Sequence, residues 1–298
     1  MILAKRLVFF LFGFLIFFFI AFWGFKTNFP SKSISRLLQK NFTKHTGFPI
    51  EINGLKLGWQ KISTEEISIF SPDLLNDKSE RRLLIFDKLE SPFWTIFTNG
   101  EIIIEGNVHG GKIKVSSKIF SQKYVDLYLK GLKLEKVPYS DINSHIFVTG
   151  DLSLSAKIVN FEEFRKGDHF FPEGNIKGEL RNSEIIFSDT SSFLDFEFPK
   201  LNFSEIFFDF KIGNLISINS LKLNGSLDGK IDGIIQLNKY KPSMSLLDIN
   251  LKIIPSTKIK EKINSFSPIL LPLQCEETIN VNIKGPLRRI NFPTRNKC

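Results

Sequence analysis

The sequence predicts a mainly β protein: a single N-terminal transmembrane helix, then a large curved antiparallel β-sheet domain with a few short helices. Three observations predict it. Nineteen uncharged residues, Leu7 to Phe25, stand near the start of the chain. From residue 50 onward the helical period disappears, and short apolar or alternating runs recur between Gly, Pro, Asn and Ser. The stretch Leu221 to Leu237, "LKLNGSLDGKIDGIIQL", alternates apolar and polar residues, Ile234 apart, with Gly225, Gly229 and Gly233 on its apolar side.

The apolar run comes first in chain order. As a helix it spans roughly 28 Å, close to the bilayer core of about 30 Å. A cleavable signal peptide is the competing reading, but its apolar region is shorter and a small-x-small site follows it. Here the run ends in Trp23, Gly24, Phe25 and Lys26. The expectation is an uncleaved span over residues 7–25, with Trp23 as an interfacial aromatic anchor. Lys5 and Arg6 favour a cytoplasmic tail over residues 1–6, while the basic residues from 26 to 44 pull the other way. Long following domains translocate largely regardless of charge, so the bulk of the chain is expected on the exported side.

Residues 26–47 form the next segment. Ile34, Leu37, Leu38 and Phe42 fall at helical spacing, and Gly47 followed by Pro49 stops the pattern. Lys32, Arg36 and Lys40 then lie on the outer face of a short amphipathic helix. That face either turns to solvent while the helix packs on the domain, or lies on anionic headgroups. The two are compatible.

Residues 48–298 make the β-rich domain. Its strands are read in "IEINGLKLGW", "EISIF", "RLLIFDKLE", "EIIIEGNV", "GKIKVSSKI", "INSHIFVTGDLSLSAKIV", "GNIKGELRNSEIIF", "LKLNGSL", "GKIDGIIQL", "LLDINLKII" and "TINVNIKG". Helical segments are expected at Gln122 to Lys130, Phe161 to Lys166 and Lys258 to Phe266. Leu221–Leu237 is either one long bent strand or a hairpin. An odd loop, Asp228 to Lys230, would set Leu227 opposite Ile231 and Gly225 opposite Gly233, keeping the faces in agreement. The glycines then serve either as bend relief or as space for another apolar body on the face formed with Leu223, Leu227, Ile231 and Ile235.

Charge and motifs exclude several functions. The net charge is +9, but residues 1–44 hold seven basic residues and no acid, leaving +2 for the rest. Neither a nucleic-acid motif nor a basic stripe is present. "GNVHGGK", Gly106 to Lys112, has the spacing of a phosphate loop. It lacks the following Ser or Thr and the helix that such a loop needs, so a hairpin turn is expected. His45, His109, His145 and His169 have no partner at metal-ligand spacing. Glu162 and Glu163 are adjacent on an expected helix and so face different ways. No nucleophile elbow occurs. Cys275 and Cys298 permit a disulfide without requiring one. Of the 32 phenylalanines, nine belong to the apolar run. The expectation is no enzyme, no metal and no cofactor.

The order of parts resembles the type II secretion system protein N (GspN) family, itself similar to AsmA-like envelope proteins. The resemblance rests on the anchor, "NFP", the amphipathic helix and "GFPIEINGLKLGW". It continues in "GNVHGGKI" at 106–113, "GSLDGKIDG" at 225–233 and the ending from Ile283 to Pro293. "SPFWTIFTNG" departs from the small-residue, Leu-rich stretch of that pattern. The resemblance implies a component of a type II protein secretion system. It would be anchored in the bacterial inner membrane, with a periplasmic domain touching other secretion-system envelope components. It also implies a curled sheet with an apolar groove, lined by Leu223, Gly225, Leu227, Gly229, Ile231, Gly233 and Ile235. The alternative function is a lipid-binding or lipid-bridging module, with a lipid in that groove.

Alkaline phosphatase fused after Cys298 should be active in a bacterial host, because the sequence places residues 26–298 outside the cytoplasm. Fluorescence from a cytoplasmic reporter at the same site, with an inactive phosphatase, would reverse the orientation.

Overall fold

The computed structural model describes residues 16–17, 19–20, 22–70, 82–118, 124–137, 146–159, 173–187, 200–213, 215–238, 244–257, 259–260, 274–275 and 278–286. Residues 16–17, 19–20 and 22–27 have helical backbone. Among the described residues no helix is long and apolar enough to cross a membrane. Residues 7–15, 18 and 21 of the expected span lie outside them, as do Phe161 to Lys166 and Cys298.

Helix α1 (Ser31–Thr46) stands where its spacing predicts. Gly47 ends it in the left-handed conformation, with its N–H donated to the Thr43 carbonyl at 2.8 Å. Helix α2 (Trp94–Asn99) is a short insertion, closed in the same way by Gly100.

The rest is one large antiparallel sheet. Its strands are β1 (Ile50–Asn53), β2 (Lys56–Leu57), β3 (Lys61–Ser63), β4 (Glu66–Phe70), β5 (Arg82–Pro92), β6 (Glu101–Val108), β7 (Gly111–Lys118), β8 (Tyr124–Lys133), β9 (Ile146–Val159), β10 (Glu173–Phe187), β11 (Leu201–Ile212), β12 (Leu215–Gly225), β13 (Leu227–Gln236), β14 (Leu246–Pro255), β15 (Gln274–Cys275) and β16 (Thr278–Pro286). From β4 to β14 each strand pairs with the next in sequence, and β16 follows β14. Among the described residues no pairing joins the two ends, so the sheet is open.

Two sequence readings are corrected here. Of the helix expected at Gln122 to Lys130, residues 124–130 are extended instead: Tyr124–Lys133 is strand β8, bonded to β7 and β9, and Gln122 and Lys123 lie outside the described residues. Val125, Leu127 and Leu129 alternate with Asp126, Tyr128 and Lys130, and two flanking strands satisfy that period-two pattern. Strand β11, "LNFSEIFFDFKI", was not among the strands read from the sequence, because its alternation breaks in the middle. Of Lys258 to Phe266, only residues 259–260 are described; Ile259 and Lys260 both donate their N–H to the Ser256 carbonyl.

"GNVHGGK" is a hairpin, as expected. His109 and Gly110 form its two-residue turn with φ of 43° and 84°, the left-handed pair that matches strand twist. Lys112 lies in β7 rather than on a phosphate loop. His109 is buried, and burial lowers its pKa below the ordinary histidine value. Its neutral Nε2 accepts a long bond, 3.4 Å, from the Ile85 N–H.

The pairing registers line up one apolar face. A single row crosses from β6 to β16 through Gly106, Ile113, Leu129, Leu154, Gly178, Phe208, Leu221, Ile231, Leu251 and Val281. Directly opposed residues share a face, so this row is one stripe of side chains. The neighbouring row runs from Ile104 and Val115 through Leu127, Ala156, Ile176, Phe210, Ile218, Gly233 and Ile249 to Ile283.

Keeping these rows apolar takes bulges. In β12 the apolar residues are even-numbered at Ile216 and Ile218 but odd-numbered at Leu221 and Leu223. The register slips between them, with Asn219 and Ser220 opposite Asp232. One extra residue switches which parity faces the core. The same device acts in β11 beside Ser204, in β10 between Arg181 and Glu184, and in β8 between Leu129 and Leu132. Asn182 in β10, Gly131 in β8 and Lys88 in a similar slip of β5 take left-handed φ of 49°, 67° and 52°.

Leu221–Leu237 is a hairpin whose turn is displaced from the predicted Asp228–Lys230 loop. The turn centres on Ser226, so Leu223 opposes Gly229 and Leu221 opposes Ile231. Gly225 opposes Phe203 and Gly233 opposes Ile218, not each other. Asp228 forms no turn with Gly229; its Oδ1 instead accepts the Gly225 N–H at 2.7 Å and closes the turn that precedes it. Ser226 docks on β11, donating its N–H to the Asn202 carbonyl at 2.7 Å and accepting the Asn202 N–H at 2.9 Å. The odd parity survives, so the predicted face survives.

The three glycines also have a direct cause. A Cβ on Gly225, Gly229 or Gly233 would lie 2.3, 2.4 or 2.3 Å from a carbonyl oxygen of the next strand. Gly225 and Gly233 have φ of 150° and 146°, whereas Gly229 is not in the positive range. The positive φ alone costs a larger residue about 1–3 kcal/mol. Gly225→Leu and Gly233→Leu should therefore lower the urea midpoint whether or not anything occupies the face. An unchanged midpoint for Gly233→Leu would show that close strand approach does not require this glycine.

Candidate apolar face and aromatic cluster

The apolar face arises from alternation plus bulges, and most of it is only half-buried. Val281, Ala156, Leu132 and Phe203 are buried on it, while Ile231, Leu251, Ile249 and Leu221 keep part of their surface open. The two helices find their main packing partners in β1 and β6, at one end of the sheet. Leu223, Leu227, Gly229, Ile231, Gly233 and Ile235 share this face; Gly225 sits at the hairpin end, exposed.

The opposite face carries the charges, with Phe207, Ile234, Leu246 and Ile254 exposed among them. Lys177 bonds Asp209 at 2.9 Å, and that bond together with Asn219 holds the Asp209 carboxyl below its ordinary pKa. Lys114 pairs with Glu105 at 2.7 Å and Lys284 with Asp248 at 3.2 Å. Asp232, Asn250 and Asn282 form a hydrogen-bonded ladder across β13, β14 and β16. The lysines of these pairs are well exposed, so each pair contributes little to stability. Their effect is to give the sheet a solvated back. Among the described residues no group of three or more His, Cys, Asp or Glu could hold a metal.

Helix α1 places its charges as the spacing predicts. Ser35 is buried, and Ile34 and Phe42 are half-buried on the packed side. Lys32, Arg36, Lys40 and Lys44 are exposed along the other side. Leu37 joins them there, 61% exposed.

Sequence reading missed an aromatic cluster at the N-terminal end of the sheet. Trp59, in the β2–β3 turn, stacks on Phe19 with centroids 5.2 Å apart and lies 5.1 Å from Phe22 and 5.7 Å from Trp23. Phe22 reaches Phe93 at 6.2 Å, and Phe93 reaches Trp94 at 5.2 Å. Lys26 Nζ sits 5.0 Å from the Trp59 ring centre, within cation–π range. The available signal was "SPFWTIFTNG", but its partners, Trp59 and the end of the apolar run, are far away in sequence.

In a peptide of residues 31–46, replacing Lys32, Arg36 and Lys40 with Glu should weaken binding to anionic vesicles. Each cation contributes on the order of 1 kcal/mol at such a surface. Binding that does not change with salt concentration would assign the helix to protein packing alone.

No protein-family model, no curated protein and no solved structure matches the chain, so the functional reading rests on this geometry and on the sequence.

Proposed function

We propose that this chain is an inner-membrane-anchored envelope protein whose open sheet curls around lipid acyl chains. The observation that carries the reading is the apolar row running without a polar residue from β6 to β16. Half-exposed side chains on such a face gain about 25 cal/mol for each Å² of apolar surface covered. Bulges bend strands and add twist, which favours a curled sheet with this face inside. An acyl chain suits the face because it needs no polar partner along its length. The apolar run at residues 7–25 and the exposed cations of α1 support the membrane setting.

A second reading is a component of a type II secretion apparatus, with contacts to other envelope proteins. The resemblance in arrangement supports the apparatus. The unclosed edges support protein contacts, since the outer edge of β1 could accept a strand from a neighbour.

Photo-crosslinking separates these readings. Benzoylphenylalanine in place of Ile231 or Leu251 should yield phospholipid adducts in cells. The same group in place of Lys230 or Lys252, on the opposite face, should yield none. Lipid adducts from both faces equally, or from neither, would overturn acyl-chain binding. Protein-sized adducts from Glu51 on β1 would favour the assembly role.

A further inference from the structure

The structure assigns a second membrane contact to this protein: helix α2 and the Trp59 turn form an aromatic platform that sits in the headgroup region beside the N-terminal helix. This inference rests on the reading that residues 7–25 enter the bilayer, and it adds a contact made by the sheet domain itself.

The platform is exposed where exposure is costly. Trp94 is 54% exposed and Phe97 75%. They are three residues apart on α2 and so share one helix face, with ring centroids 6.2 Å apart. Ile96 is half-buried, and α2 packs on β6. The helix thus keeps one face for the sheet and presents its two largest rings elsewhere. Its polar groups are satisfied locally: Thr95 Oγ1 donates to the Pro92 carbonyl at 2.8 Å, and Thr98 Oγ1 to the Trp94 carbonyl at 3.0 Å.

The neighbours identify the occupant. Phe19, Phe22 and Trp23 of the apolar run touch Trp59 and Phe93, which places α2 level with the end of that run. The chain has three tryptophans, Trp23, Trp59 and Trp94, and all three belong to this chain of ring contacts. Tryptophan is enriched at the level of lipid headgroups, where its ring is part apolar and part wet. Lys26 lies over Trp59, and the sequence has no acidic residue before Glu51. Exposed aromatics with Lys26 over Trp59, and with the adjoining Glu90 already paired to Lys61 at 2.7 Å, are complementary to an anionic phospholipid interface. A protein partner with an apolar patch would meet the rings but leave Lys26 unmatched.

The test uses the full chain in phosphatidylcholine–phosphatidylglycerol liposomes containing phospholipids brominated at shallow or deep acyl positions. In the unaltered protein, shallow bromines should quench all tryptophan emission, leaving no fraction accessible to aqueous iodide. In variants that keep one tryptophan and replace the others with Phe, Trp94 emission should shift to the blue. Shallow bromines should quench it more than deep ones. Quenching of Trp23 with Trp94 still open to iodide would overturn the second contact and leave the anchor intact. No lipid quenching of Trp23 or Trp94 would overturn the anchor and the platform together.

Discussion

Everything in this fold depends on matching a period of two to one continuous face. A strand residue that slips by one position moves its side chain from the apolar side to the wet side. Over a sheet running from β1 to β15, such errors would accumulate at every hairpin. The chain answers with bulges in β8, β10, β11 and β12, each beside a change of parity in the apolar residues. The apolar row is thus maintained by irregularity. A strictly regular sheet of this sequence would turn half of β12 inside out.

The glycines belong to the same constraint. Gly233 faces the bulge of β12, with positive φ, and its missing Cβ lets the Asp248 carbonyl come close. Gly178 allows similar proximity to the Ser153 carbonyl and to the Phe208 ring. Space on the apolar face is a by-product of these approaches. Bend relief and a dented face are one feature seen from the two sides of the strand.

The two candidate surfaces obey different physics. The sheet face is broad, half-buried and free of charge, suited to a partner that needs area and no directional bonds. The N-terminal cluster is small, exposed and aromatic, with Lys26 over Trp59, suited to a boundary between apolar and wet phases. The ring contacts between Phe19, Phe22, Trp23, Trp59 and Phe93 join the helical segment to the turn of β2–β3 and the end of β5. Aromatic pairs of this kind contribute about 0.5–1.5 kcal/mol each beyond area burial. Several together give the junction a defined geometry.

Most of the fold class was legible in the sequence, because alternation is local and each strand declares its own period. The extent of α1, the His109-Gly110 hairpin and the apolar parity of Leu221–Leu237 follow from spacing, turn chemistry and pairwise register alone. The helix expected at Gln122 to Lys130 failed because two neighbouring strands offered hydrogen bonds that a nine-residue window cannot see. Strand β11 was hidden by its own bulge, which breaks the alternation that would have announced it. The turn at Ser226 was set by Asp228 reaching back to Gly225 and by β11 receiving Ser226, a contact between residues 24 positions apart. The site divides the same way. Lys32, Arg36 and Lys40 were readable as one helix face, whereas the union of Trp23, Trp59 and Trp94 was not. Sequence determines which face of each element is apolar; only tertiary structure decides which of those faces meet, because the meeting depends on registers and ring contacts made between distant segments.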